Sequence, residues 1–178
     1  MKTAIWMLLA AALVLGAAVP SAAAGRDGSH DFDFEFGDWQ VHHRVKRATD
    51  GAWVEFEGTA SVRPLMDGSG NVEDNQFNKA DGVTYGVALR SYDAKTGEWA
   101  IWWMDGRAPH GTLDPPTKGR FEDGVGKFYW EGDYNGKRMR TRFTWSRITP
   151  KSARWEQAYS FDDGKTWDTN WIMEFTRK

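Results

Sequence analysis

Residues 31–45 read DFDFEFGDWQVHHRV, and this stretch decides the fold. Phenylalanine alternates with acidic residues up to Phe36, Gly37 stands two positions before Trp39, and a second alternating run follows. Strict alternation over four to eight residues is typical of a strand with one buried face. A glycine beside a large indole marks a place of close approach that a side chain would block. The stretch therefore predicts a first β-strand that starts at a tightly packed point.

Turn-forming dipeptides divide the rest of the chain. Asp-Gly or Asn-Gly occurs at 50–51, 67–68, 81–82, 105–106, 123–124, 135–136 and 163–164. These pairs tolerate the positive φ angles of tight hairpins. The runs between them predict strands near 38–47, 52–63, 71–78, 84–92, 98–104, 117–122, 125–131, 137–147, 153–161 and 167–176. We expect an all-β fold, an antiparallel up-and-down meander of about 8–10 strands closed into a barrel.

The first 24 residues have the layout of a secretory signal peptide. Lys2 gives a positive start, residues 4–19 form an apolar core, and 22–24 are three alanines suited to cleavage. We expect a periplasmic or secreted protein with one domain over residues 25–178 and no membrane span after cleavage. A retained N-terminal anchor is the alternative.

Composition narrows the possible partners. The chain has no cysteine, which excludes disulfides, thiolate metal sites and a lipoprotein-type anchor. Without Lys2 it carries 22 basic and 25 acidic residues, so its charge gives no case for binding nucleic acid. After cleavage ten tryptophans, ten phenylalanines and five tyrosines remain. Aromatic residues favour half-buried sheet surfaces and can line a pocket.

Alternation within each predicted strand assigns its side chains to two faces. If Trp39 points inward, Val41 and His43 do so as well. The other strands contribute these inward residues: Val54, Phe56, Ala60, Val62, Tyr85, Val87, Leu89, Met139, Thr141, Phe143, Trp145, Trp155, Gln157, Tyr159, Trp167, Thr169, Trp171, Met173 and Phe175. The opposite faces are polar, as expected for a barrel with one wet side.

Gly37-Asp38-Trp39, preceded by Phe32 and Phe34, resembles the Gly-x-Trp opening of the lipocalin and calycin superfamily. In that family an arginine near the end of the last strand packs over the tryptophan, and Arg177 is the matching residue here. The chain also resembles an uncharacterised bacterial domain-of-unknown-function family with lipocalin-like barrels. The resemblance covers most of residues 25–178 and rests on residues 32–34, 102–105 and 163–167. Gly37, Trp39 and Arg177 are thus the expected structural signature.

The number of strand-like runs differs from the eight of a typical lipocalin. Ten runs suggest the fatty-acid-binding or nitrobindin side of the superfamily. Nitrobindin-like proteins hold haem through a histidine late in the chain, whereas this chain has only His30, His42, His43 and His110. We therefore expect no haem and no other cofactor.

A meander places the 47–52 turn and the 106–116 loop at one end of the barrel and Trp39 with Arg177 at the other. In lipocalins the open end lies opposite the Gly-x-Trp motif, and the resemblance implies the same arrangement here. Inward aromatic and polar residues at that end would bind a small apolar or aromatic ligand. The predicted ligand-binding residues are His43, Trp103, Thr141, Gln157, Tyr159, Thr169 and Trp171. A His43 that is only part of a packed core remains the alternative. We expect a monomer or homodimer.

Other functions remain open, although the sequence favours a binding protein without catalytic residues. A calycin-type isomerase or hydrolase would use His43 with Asp114 or Glu156 for proton transfer. A carbohydrate- or envelope-binding module would use outward Trp53, Trp102 and Tyr129. The barrel could also be filled by its own side chains.

Two further motifs have simpler interpretations. The polar residues at 71 and 73–75 could coordinate calcium, but they lack EF-hand spacing and fit a polar edge strand better, so no metal site is predicted. Residues 160–167 resemble the Asp-box of sialidase-type propellers. Since that motif occurs once, we interpret it as a hairpin turn whose Trp167 packs inward.

Overall fold

The computed structural model describes residues 26–178, so the predicted signal peptide lies outside the described part of the chain. Ten strands form one closed antiparallel barrel in which each strand pairs with its sequence neighbours and the last pairs with the first. They are β1 (Gly37–Lys46), β2 (Trp53–Leu65), β3 (Gly70–Lys79), β4 (Gly82–Asp93), β5 (Glu98–Asp105), β6 (Thr117–Glu122), β7 (Val125–Tyr134), β8 (Lys137–Ser146), β9 (Ser152–Ser160) and β10 (Asp168–Arg177). The predicted lipocalin-like all-β barrel is confirmed. None of the helical turns within 26–178 is long and apolar enough to cross a membrane.

The segment before β1 closes one end of the barrel, which we call the floor. It includes a short 3₁₀ turn at Asp33–Glu35. Phe32 is completely buried there, with its ring centroid 4.9 Å from that of Trp99, 5.0 Å from Phe121 and 5.6 Å from Phe128. The first two pairs are edge-to-face, a favourable arrangement of aromatic rings. The alternating aromatics that mark the sequence therefore form the floor together with β5, β6 and β7.

Trp39 and Arg177 tie this floor segment to the barrel. They are register partners on β1 and β10, and the Arg177 guanidinium carbon lies 4.1 Å from the centre of the Trp39 ring. The same guanidinium donates hydrogen bonds to the backbone carbonyls of Phe34 and Phe36, both at 2.6 Å. Gly37 has φ +110°, a conformation that favours glycine. This is the stacking expected from the lipocalin-like opening.

The predicted orientation of β4 is wrong. Tyr85, Val87 and Leu89 point outward, and Gly86, Ala88 and Arg90 point inward. Trp103 on β5 explains the reversal, because a Cβ on Gly86 would overlap its indole ring. The small inward residues of β4 thus make room for the Trp103 ring. The large apolar residues of β4 are outside, so hydrophobicity alone predicts the wrong face.

The interpretation of β3 as a polar edge strand is also wrong. The strand lies between β2 and β4 in a closed sheet, so it has no free edge. Asn71, Glu73 and Asn75 point inward and are almost completely buried. Their register partners on β4 are the inward residues Arg90, Ala88 and Gly86, which places polar groups of both strands inside the barrel.

A β-bulge changes the orientation of β10 part-way along the strand. Thr169 pairs with Ala158 and Trp171 pairs with the adjacent Gln157, which leaves Asn170 as the extra residue. Gln157 points inward, so Ala158 and its partner Thr169 point outward. Trp171 and the inward residues after it have the predicted orientation, whereas that of Thr169 is wrong.

The Asp-box-like segment between β9 and β10 is a hairpin turn, as interpreted from the sequence. Asp162 accepts hydrogen bonds from the backbone N–H of Thr166 at 2.9 Å and from its hydroxyl. Trp167, however, lies on the outer face, where the Arg142 guanidinium is 4.3 Å from its ring. Its predicted inward packing is wrong for the same reason as that of Thr169, because it precedes the bulge.

Candidate functional site

The barrel encloses a cavity of about 540 Å³. Inward side chains of β3 to β10 line it, so the described barrel is not filled by its own residues. The aromatic wall consists of Phe77, Trp103, Trp130, Tyr134, Phe143, Trp145, Trp155, Trp171 and Phe175, and the polar lining of Glu73, Asn75, Arg90, Asp114, Thr117, Asp133, Thr141, Gln157 and Tyr159. A concave space lined mostly by aromatic groups with a few polar ones is the usual form of a small-molecule site.

The short strand β6 gives this cavity a side opening. β6 pairs with β5 only from Trp99 to Ile101, although β5 continues to Asp105. Above that point the loop of residues 106–116 replaces the missing strand and brings Asp114 to the cavity wall. Trp103, which is 38% exposed, lies beside this gap. We call the part of the barrel that contains this gap, the 106–116 loop and Trp103 the upper half, and it lies opposite the floor.

A buried ionic network forms the lower boundary of the cavity. Arg90 Nη2 donates to Glu35 Oε1 at 3.1 Å, and its Nη1 lies 2.9 Å from Glu35 Oε2. Arg90 also pairs with Glu73 and donates to Asn71 Oδ1 at 3.0 Å. Its guanidinium carbon is 4.8 Å from the centre of the Phe32 ring, which links the network to the floor.

Burial raises the pKa of Glu35 well above its ordinary value. The positive charge of Arg90 opposes this shift, and the nearby Glu73 carboxylate adds to it. Two carboxyl groups and one guanidinium share the site, so the network carries no excess positive charge whichever form Glu35 takes.

Five of the predicted ligand-binding residues meet at the cavity wall. They are Trp103, Thr141, Gln157, Tyr159 and Trp171. Gln157 Nε2 donates both to the Tyr159 hydroxyl and to Asn170 Oδ1, each at 2.9 Å. Burial raises the pKa of Tyr159, so its phenol stays protonated at neutral pH.

His43 points inward but does not line the cavity. It is completely buried, stacked on Phe56 at 4.7 Å between ring centroids, with Phe77 at 5.1 Å. Its Nδ1 accepts a hydrogen bond of 3.3 Å from Trp171 Nε1, so the neutral ring carries its proton on Nε2. A Cβ on Gly58 would lie 2.7 Å from Nε2. His43 thus belongs to the packed wall behind Phe77 and Trp171.

The packing of His43 has an electrostatic consequence. Burial lowers the pKa of His43 to about 3, against the weaker opposing attraction of Glu57. The ring is therefore neutral at physiological pH. Adjacent His42 points outward, where its hydrogen bond with Glu57 raises its pKa.

The other functional interpretations find less support in the arrangement of the described residues. Glu156 is on the outer face, paired with Arg154 at 2.9 Å, and His43 is sealed in the wall, so the suggested proton-transfer pair does not meet in the cavity. Trp53, Trp102 and Tyr129 lie on β2, β5 and β7, which are not neighbouring strands, and form no continuous strip. Within residues 26–178 no group of three or more His, Asp or Glu side chains is placed to hold a metal ion.

The sequence did not reveal several cavity residues. Arg90, Glu73, Asn75 and Thr117 line the cavity, although none was predicted to do so. One signal was available: Asn71, Glu73 and Asn75 have the two-residue spacing of one strand face. Whether that face points to water or to the interior depends on the neighbouring strands.

Comparison with known proteins identifies the fold. No protein-family model matches the chain, and no curated protein matches it. Among solved structures, the S-type phycobiliprotein lyase CPES from Guillardia theta has a TM-score of 0.57 at 10% identity, covering 87% of this chain and 94% of that one. The chain shares its barrel fold. At this identity the similarity concerns the fold and not the activity.

Two other solved barrels are more distant. A de novo designed fluorescence-activating β-barrel has a TM-score of 0.44 at 16% identity, with coverage of 85% of this chain and 98% of that one. A DUF3598-family protein of unknown function from Nostoc punctiforme has a TM-score of 0.26 at 6% identity, with coverage of 86% and 100%.

Proposed function

We propose that this protein binds a small, mostly apolar or aromatic ligand in the lumen of its barrel. The observation that supports the proposal is the cavity of about 540 Å³, which lies between the buried floor and the side opening next to Trp103. Its volume falls within the range of about 300–1,000 Å³ that is usual for ligand pockets.

The cavity wall can supply both affinity and orientation. Trp103, Trp171 and Tyr159 offer large rigid surfaces that lose little entropy when a ligand packs on them. Thr141 and Gln157 add hydrogen-bonding groups beside the aromatic wall. In this proposal His43 acts indirectly, by holding Trp171 in place through its hydrogen bond.

Blocking the cavity tests the proposal. Thr141 is buried and lines the cavity, so Thr141→Phe should fill part of it with a ring. We expect the wild-type protein to bind the uncharged dye Nile red with a rise in dye fluorescence, and the variant to bind it at least about tenfold more weakly, a change of about 1.4 kcal/mol. Fluorescence titration at neutral pH measures both affinities.

A matched control separates blocking of the cavity from damage to the fold. Thr144 is on the same strand with the opposite orientation, so Thr144→Phe adds the same ring outside the barrel. This variant should bind the dye like the wild type. If Thr141→Phe keeps its circular dichroism spectrum and still binds with unchanged affinity, or if the wild type binds no dye, the proposed lumen site is wrong.

The proposal also covers where the protein acts and which family it is related to. We propose that residues 25–178 act in the periplasm or outside the cell, on the basis of the signal-like residues 1–24. We also propose that the chain is related to the bacterial lipocalin-like family that its Gly37-Asp38-Trp39 opening resembles. N-terminal sequencing of the protein isolated from whole cultures of its host tests the location, and an intact Met1 would contradict it.

A further inference from the structure

The cavity contains buried polar groups that find no partner within residues 26–178. Asn75 is 2% exposed and lines the cavity, and its side-chain oxygen has no hydrogen bond. Thr117 is 6% exposed and lines the cavity as well, and its hydroxyl is likewise unpaired. A buried polar group without a partner is costly, so native proteins usually satisfy such groups with protein, water or ligand.

Most charged side chains that line the cavity are acidic. Arg90 is the one basic side chain among its described lining residues, and Glu35 and Glu73 already occupy both terminal nitrogens of its guanidinium. The remaining charged lining residues are Asp114 and Asp133, both acidic and exposed near the side opening. A ligand carboxylate would therefore enter past two negative charges and find no free cation inside the described barrel.

From these two observations we infer that the ligand carries no negative charge and that its polar end is an N–H donor, an amide or an amine, which pairs with Asn75 in the cavity. This inference rests on the proposed function, because it concerns the chemistry of the same site. The atom of Asn75 that lacks a partner is its side-chain oxygen, which can only accept, so a ligand N–H group is the complementary donor. Thr117 offers a hydroxyl that can donate or accept.

A series of ligands with the same apolar tail and different ends tests the inference. Dodecanoate, dodecanamide and dodecylamine share a twelve-carbon chain and differ in charge and in N–H donors. We expect dodecanamide or dodecylamine to displace Nile red from the wild type at concentrations at least about tenfold lower than dodecanoate, the difference that one buried hydrogen bond together with avoided charge burial can supply. The comparison of amide with amine shows which of the two N–H groups is preferred.

Variants on β3 assign the preference to a residue. Asn75→Leu keeps a similar side-chain size and removes the amide, so it should reduce the preference for the N–H ligands to less than about threefold, with every competitor compared at the variant's own Nile red affinity. The control is Asn78→Leu, the same change on the exposed outer face of β3, which should leave the preference unchanged. Thr117→Val, which is nearly isosteric, provides a second test if Asn75→Leu does not fold.

The outcomes separate this inference from the proposed function. If Nile red does not bind to the wild type, the proposed function fails and the inference fails with it. If Nile red binds and dodecanoate competes as well as or better than the other two, the cavity binds ligands but the inference is wrong. A preference for N–H ligands that survives both Asn75→Leu and Thr117→Val would also overturn the assignment to these residues.

Discussion

The floor and the upper half of the barrel use the same kinds of side chain for opposite purposes. At the floor, Phe32 has no exposed surface. Aromatic rings surround it, and it contacts Arg90 of the buried ionic network. In the upper half, Trp103 is 38% exposed and Tyr134 is 55% exposed, and both line an open space. Aromatic content alone therefore does not distinguish a packed core from a binding wall.

The difference follows from what closes each end. The floor has a chain segment, residues 26–36, folded into it and held by Trp39 and Arg177. The upper half has only the 106–116 loop beside a short β6, so no described element fills the space. We expect stability to depend mainly on the floor and ligand binding mainly on the upper half. The following predictions test that division.

Removal of the central cation of the floor should have the largest effect. Arg90→Met leaves the buried carboxyl groups of Glu35 and Glu73 without their partner, which should lower the free energy of unfolding by about 3–5 kcal/mol. Urea denaturation followed by tryptophan fluorescence measures the change. The control is Arg120→Met, which breaks an exposed pair with Glu98 and should cost less than about 1 kcal/mol. Equal losses in the two variants would contradict the role of the floor network.

Replacing a phenylalanine by alanine should lower the free energy of unfolding more at the floor than in the upper half. Phe32→Ala removes a fully buried ring and should lower the free energy of unfolding by about 3–4 kcal/mol. Phe143→Ala removes a half-buried ring that already borders the cavity, so it should cost about 1–2 kcal/mol. Thermal and urea unfolding of both variants provide the comparison. The division between the two regions is wrong if Phe143→Ala proves as damaging as Phe32→Ala.

The smallest effect concerns pH and the wall behind the cavity. The pKa of His43 is about 3 in the folded protein and about 6.5 when unfolded, so the unfolded chain binds a proton first as pH falls. Above about pH 6.5 His43 is neutral in both states, and the free energy of unfolding keeps its full value. As pH falls from 6.5 towards 3, protonation of the unfolded chain lowers the free energy of unfolding. Between pH 7 and pH 5 this loss should be about 2 kcal/mol.

Comparison with a variant isolates the contribution of His43 to this loss. His43→Phe should show a smaller decrease in unfolding free energy between pH 7 and pH 5 than the wild type, since other groups titrate equally in both. The neighbouring His42 is a control of opposite sign, because its raised pKa stabilises the protein at low pH. His42→Gln should therefore make the acid loss slightly larger. An unchanged pH dependence in His43→Phe would show that His43 is not held neutral by burial.

Strand positions could be predicted well because they depend on local signals. Turn dipeptides such as Asp50-Gly51 and Asn135-Gly136 mark hairpins through their own backbone preferences. Inward orientation was correct where large apolar residues alternate with charged ones, as along β8 from Met139 to Trp145. It failed on β4, where Gly86 and Ala88 are inside because a tryptophan of the next strand needs the space.

The candidate site was predictable only in part for the same reason. Trp103, Gln157 and Trp171 line the cavity near the predicted open end. Alternation assigned Gln157 and Trp171 to the inner face, whereas the strand of Trp103 is apolar on both faces and its sequence left the orientation undecided. Thr169 was misplaced, since a single extra residue reverses orientation and no sequence signal marks that bulge. His43 was assigned the correct face, but the ring that covers it, Phe77, comes from a strand two positions away in the sheet.

The sequence by itself determined an antiparallel meander of about 8–10 strands, because alternation and turn chemistry are local signals, and its resemblance to the lipocalin opening placed the closed end at Gly37 and Trp39. Only the tertiary structure decided which polar residues are inside, because the burial of Arg90, Glu73 and Asn75 depends on partners far apart in the chain. It also decided that a cavity remains, since the space left inside a barrel depends on how side chains from different strands fit together.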